Sequence, residues 1–258
     1  MRKGQTVKIF AVVFFVILLA LQIFGVAGLL RPYTSAQIAE GYETLIYPYR
    51  FHLIFSFVLD FFVMLYLLYS WDIIGKEKSE FDRTYLAIAD VGLNLLELLG
   101  IVNVYLLHRG LFAVNLVLHI LMVLTLVRII SAFPLRGKNF LFAKFPFDLS
   151  LGISIFSTYL SLALIFVASE EALQLFTDNA RAVLLILALT LTAMVLGLRL
   201  KNLFFLFSIM AYEGAIAVQH LSKQGFDGRY PEIYLALILS MAGLIAAIIV
   251  VFIQRKKT

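Results

Sequence analysis

The sequence predicts an all-α integral membrane protein of about eight transmembrane helices, with both termini in the cytoplasm. Three observations carry this prediction. The chain of 258 residues is 62% hydrophobic and only 14% charged, far more apolar surface than a water-soluble domain of this length requires. Its apolar residues fall into eight runs, each long enough to cross a bilayer, without the alternation that a β-barrel needs. Its basic residues are sorted along the chain. Fifteen of the 21 lie in the odd-numbered polar segments: Arg2, Lys3 and Lys8; Lys76, Lys78 and Arg83; Arg128, Arg136, Lys138 and Lys144; Arg199 and Lys201; Arg255, Lys256 and Lys257. The even segments hold the other six: Arg31 and Arg50, Arg109, Arg181, Lys223 and Arg229. Cytoplasmic loops retain positive charge, so the odd segments face the cytoplasm. Because lipid cannot satisfy backbone N–H and C=O groups, the spans must be helical.

The first span, 9–30, has Gln22 as its only strongly polar residue. At about 22 residues it exceeds a signal-peptide core of about 7–15, so it is expected to be a retained helix. The longest exterior segment, Arg31 to Arg50, follows and carries Tyr33, Tyr42, Tyr47 and Tyr49. Tyrosines favour the headgroup layer, and the segment is expected either to anchor there or to lie as a lid over a cavity between helices. The second span is 51–72. The third and fourth, 85–107 and 110–133, form a hairpin through His108-Arg109-Gly110. The basic, aromatic stretch Lys138 to Phe147 is expected along the inner membrane surface, leading into the fifth span, 146–168. The sixth and seventh spans, 181–198 and 203–222, are joined by Arg199-Leu200-Lys201-Asn202, and the eighth is 232–254. Pro146 and Pro231 stand near helix starts, where a missing N–H costs little.

Charged side chains at membrane depth are costly and usually face protein or water. Asp60 lies in the second span, and Asp90, Asn94 and Glu97 lie on one face of the third at i, i+4, i+7. Asn115 and His119 share a face of the fourth, and the seventh carries Glu213. Counted from the Arg109 turn, Glu97 and His119 sit at similar depth, which permits a contact between them. Asp90, Asn94, Glu97, Asn115, His119 and Glu213 thus form a candidate intramembrane polar cluster, read either as packing that fixes helix register or as a site for a ligand or protons. The chain has no cysteine, and no metal-binding spacing, phosphate loop or nucleophile motif is present. No cofactor, metal, catalytic residue or nucleic-acid partner is expected, and the basic excess points to anionic lipid.

Two stretches resemble the TspO/MBR family, the tryptophan-rich sensory proteins related to the translocator protein, and most of all its longer prokaryotic members. In the first, Ile38, Tyr42, Leu45, Pro48, Phe51 and Leu53 fall at spacing similar to the family's loop and second-helix start. In the second, Pro146, Phe147, Gly152, Ser157 and Thr158 match its Pro-Phe, Gly and small-residue positions in the fifth helix. Asn94 with Glu97 and Ala211 with Gly214 occupy places like two further family motifs. Trp71 is the lone tryptophan; Ser56, Glu97 and Ile153 stand where the family has tryptophans. The resemblance implies a five-helix core over 1–168, a three-helix extension over 169–258, and a pocket under the first exterior loop for a tetrapyrrole, sterol or other lipid. The porphyrin photochemistry proposed for the family leans on the missing tryptophans and is not carried over.

The leading expectation is therefore a non-enzymatic protein of a prokaryotic plasma membrane that binds an apolar ligand between its first, second and fifth helices, with a sensory or transport-related role open. Tyr42, Tyr47, Pro48 and Phe51 are expected near the pocket mouth, with His52, Asp60 and Ser157 as polar anchors, and Pro146, Phe147 and Gly152 join them through the resemblance. Asp60, Glu97, His119 and Glu213 motivate an alternative, a proton- or ion-coupled transporter. Ala188, Ala193 and Gly197 in the sixth span motivate a third, a subunit or assembly factor of a membrane complex, and leave a homodimer open.

Overall fold

The computed structural model describes residues 3–33, 38, 44–75, 78, 80–133, 140–168 and 178–257. The described residues form α1 (Lys3–Val26), α2 (Tyr49–Ser70), α3 (Glu80–Leu107), α4 (Phe112–Ser131), the short α5 (Phe140–Ala143), α6 (Phe145–Ala168), α7 (Asp178–Leu200), α8 (Leu203–Leu221) and α9 (Pro231–Lys257). Among the described residues, eight spans are long and apolar enough to cross a membrane, with α5 and α6 forming one of them over Phe140–Ala168. The protein is an all-helical, multi-pass membrane protein.

Several helix ends close by one device, a residue in the left-handed conformation followed by an amide that reaches back across the last turn. Gly28 (φ 73°) ends α1, with Leu29 N–H donating to Phe24 O at 2.8 Å. This takes the chain out of the helix before Leu30, where the apolar run had suggested a boundary. Gly110 (φ 72°) does the same in the α3–α4 hairpin, where Leu111 N–H reaches Leu106 O at 3.1 Å. Lys201 (φ 48°) closes α7, and Asn202 N–H reaches Gly197 O at 3.0 Å. Asn202 then caps α8, its Oδ1 accepting from Phe205 N–H at 3.1 Å.

Helix α1 lies along α3, α4 along α6, and α7 along α9, while α8 packs on α6 and reaches α2. Close approach is built in where small residues meet bulky ones. Gly197 of α7 faces the Leu206 side chain of α8, and Ala193 is fully buried. These two residues, offered by the sequence as a surface for a partner, are consumed inside the bundle. Ala188 is exposed, and its carbonyl accepts from Tyr159 OH at 3.1 Å.

Two polar knots tie one end of the bundle. In the first, Asp90 accepts from Tyr66 OH at 2.7 Å and from Ser70 Oγ at 2.9 Å, joining α2 to α3. Lys8 and Lys78 both donate to Ser70 O at the C-terminus of α2, where helix carbonyls attract cations. Lys78 also pairs with Asp72 at 2.6 Å, and its ammonium holds that exposed carboxyl below the usual carboxylate range. In the second knot, Lys144 Nζ meets both oxygens of Asp148 at 2.5 and 2.8 Å, and Asn202 Nδ2 donates to Asp148 Oδ1 at 2.7 Å. Arg255 Nε donates to Lys201 O at 2.8 Å.

The second knot corrects the expectation that Lys144 lies on the membrane surface. Its side chain is buried, because Asp148 one turn later supplies the counter-charge that lets α6 begin inside the bundle. At the other end, Tyr33 N–H donates to His108 O at 3.2 Å, and His220 Nε2 meets Leu45 O at 2.7 Å. The basic segments of α1, α6 and α9 therefore collect at one end of the bundle.

Candidate functional site

Five helices, α1, α2, α3, α4 and α6, converge on a partly open cavity of about 230 Å³. Its wall is mostly apolar, with Phe15 and Leu18 from α1, Leu53 from α2, Leu93 from α3 and Met122 from α4. α6 contributes Ser150, Ser154 and Ser157, which recur at i, i+4, i+7 and so share one face.

Of the residues singled out in the sequence, Tyr47, His52, Asp60, Glu97, His119 and Ser157 line this cavity. Gln22, Asn103 and His108 join them. Gln22 and Asn103 are isolated polar residues in apolar runs, and nothing in the sequence ties them to the others. Gln22 reaches Asp60 through a side-chain hydrogen bond.

The remaining predicted residues lie elsewhere. Tyr42 falls outside the described residues. Pro48 is the buried N-cap of α2, and Phe51 packs edge-on against Tyr212. Pro146 is buried in the first turn of α6, and Phe147 meets the ring of Tyr66. Gly152 points at α8, where an added Cβ would come within 1.8 Å of Ser208 Oγ. Position 152 is two residues from both Ser150 and Ser154, roughly 200° round the helix, so it cannot share their cavity face.

The polar cluster also divides. Asp90 belongs to the knot with Tyr66 and Ser70, and Asn94 Nδ2 donates to Val7 O of α1 at 3.0 Å. Asn115 is buried without a side-chain partner among the described residues and does not line the cavity. Glu213 accepts from Thr190 Oγ1 at 2.7 Å, far along the chain in the contact of α7 with α8. His119 and Glu97 share the cavity wall, but the bonded partner of His119 Nδ1 is Ser161 Oγ at 3.2 Å.

One bracing residue was not foreseen. Tyr212 of α8 does not line the cavity, yet its hydroxyl lies 3.1 Å from His52 Nδ1. Its ring stacks on Phe156 with centroids 4.0 Å apart and receives Phe51 and Phe55 edge-on. A tyrosine among 24 phenylalanines and 11 other tyrosines carries no sequence signal of this role.

These features define a class: a multi-pass helical membrane protein with an intramembrane cavity that is apolar for most of its wall and acidic at one place. The family follows from comparison with known proteins. A family model described as TSPO-like protein (TSPO_2) matches residues 8–253, and the chain belongs to that family. The match runs through the last three helices as well as the first five spans. The curated proteins and solved structures compared with the chain contain no match.

Proposed function

We propose that this protein is a non-enzymatic binder of an apolar or amphiphilic small molecule, held in the cavity enclosed by α1, α2, α3, α4 and α6. The carrying observation is the cavity itself, about 230 Å³ of space at membrane depth with an apolar wall and a few polar groups. Ligand sites share that character. The volume suits a lipid tail or a small ring system, since an apolar cavity of about 150 Å³ already accepts benzene. Membership of the TSPO-like family, whose proteins are generally non-catalytic and bind or transport, supports the same reading.

The exterior segment between α1 and α2 supplies Ile38 and Tyr47 to the cavity wall, which supports a cover over its outer end. The collection of basic segments at one end of the bundle supports a topology with both termini in the cytoplasm of a prokaryotic plasma membrane.

The test is native mass spectrometry with lipidomics on protein purified in mild detergent, beside Ser157→Leu, which places a bulkier side chain in the cavity. A stoichiometric small molecule on the parent and its loss from the variant are expected. Parent protein that emerges empty and takes up no apolar probe would overturn the proposal.

A further inference from the structure

We infer that the cavity selects a lipophilic primary amine, its ammonium held between Asp60 and Glu97. This rests on the reading of the cavity as a ligand site and names the chemistry of the ligand.

Both carboxyl groups line the cavity, with Asp60 8% and Glu97 3% exposed. Asp60 lies 11 residues into α2 and Glu97 lies 10 residues before the end of α3, and the two helices run in opposite directions. At about 1.5 Å per residue, each sits roughly 15–17 Å below the same end of the bundle. Three of their oxygens, Asp60 Oδ2 and both of Glu97, have no hydrogen-bond partner among the described residues. No lysine or arginine is among the described residues of the wall. His52 and His119 each spend one ring nitrogen on a neighbour outside the acidic pair, Tyr212 and Ser161.

Open acceptors on buried carboxylates are costly at membrane depth, and the cost is removed by a counter-charge that brings donors with it. A primary ammonium carries one positive charge, which matches one ionised carboxyl of the pair while the other remains a neutral acid, and its three N–H donors meet the open oxygens. An alcohol offers a single donor and no charge. The rest of the wall is mostly apolar, so the molecule attached to the ammonium is largely apolar too, and a volume of about 230 Å³ suits about one or two rings.

The test uses purified full-length protein in phosphatidylcholine nanodiscs, a lipid without N–H donors, with empty discs as the reference. Fluorescence titration compares 2-(2-naphthyl)ethylamine with 2-(2-naphthyl)ethanol. The amine is expected to bind at least about 30-fold more tightly, in the range for a buried charge pair that keeps its partner. The near-isosteric variants Asp60→Asn and Glu97→Gln, each read separately so that one suffices if the other does not fold, are expected to lose about tenfold or more of that preference. Competition by phosphatidylethanolamine would assign the ammonium to a lipid headgroup, and its absence to a free amine. Equal binding of the two probes, or an amine preference that survives in the folded variants, overturns amine selection and leaves the cavity as a ligand site. Failure of both probes to bind overturns both.

Discussion

Lys144→Met should destabilise the protein by about 3–5 kcal/mol, the usual cost of removing one partner from a buried ion pair. The structure supports the upper part of that range. Lys144 is 1% exposed and Asp148 is fully buried, with their charges 2.5 and 2.8 Å apart. At an effective dielectric of about 20, an attraction across about 2.8 Å is worth roughly 6 kcal/mol before desolvation is subtracted. Removing the lysine leaves the desolvation of Asp148 in place, with only Asn202 Nδ2 at 2.7 Å to stabilise the charge. The double variant Lys144→Met with Asp148→Asn should recover at least half of the loss, because the new amide oxygen still accepts from Asn202 while the orphan charge is gone. The assay is equilibrium unfolding in mixed micelles with increasing dodecyl sulfate, followed by far-ultraviolet circular dichroism. A loss below about 1 kcal/mol for the single variant, or a double variant no more stable than the single, would refute the account of this knot as a mutually dependent pair.

Three further outcomes can be measured. Tyr66→Phe removes a 2.7 Å donation to the buried Asp90 and should cost about 1.5–3 kcal/mol in the same unfolding assay, with a loss under about 0.5 kcal/mol counting against the bond. Gly152→Ala places a methyl group 1.8 Å from Ser208 Oγ and should cost about 1–3 kcal/mol, relieved when Ser208→Gly is added, and a double-mutant cycle reads the relief. The Asp72 carboxyl should titrate below its usual value by side-chain carbon NMR and return toward it in Lys78→Met. Because the folded value is the depressed one, any stability from this pair is present above the unfolded value and lost as pH falls through the folded one.

Much of the fold was legible because lipid imposes two simple demands, length and charge placement. The eight apolar runs became eight spans, and the charge sorting corresponds to the gathering of basic segments at one end. The differences lie where a residue finds its partner inside the bundle rather than in water or lipid. Lys144 reads as a loop cation, although its i, i+4 spacing to Asp148 was the one available hint that the pair could enter together. Gly152 and Phe147 stand at motif positions, but helical phase turns Gly152 toward α8, and Phe147, although on the face of Ser150 and Ser154, sits in the first turn of α6 against Tyr66, while those two serines, which no motif marks, face the cavity. Asp90, Asn94 and Glu97 do follow one another along a helix, yet depth distributes them, Asp90 to Tyr66 and Ser70 of α2, Asn94 to the Val7 carbonyl of α1, and Glu97 to the cavity. The role of Tyr212 depends on a contact across 160 residues, which periodicity within a helix cannot reveal.

That contact also has a consequence in time. The last of the described residues to line the cavity is Ser157, and the brace behind His52 arrives with Tyr212, about 55 residues later. At synthesis rates of about 5–20 residues per second, roughly 3–11 s separate the two. During that interval the ribosome has already delivered every helix that encloses the hollow, while His52 and the face of Phe156 still lack the ring that will hold them. A nascent chain at this stage has the outline of the cavity without the aromatic brace behind it.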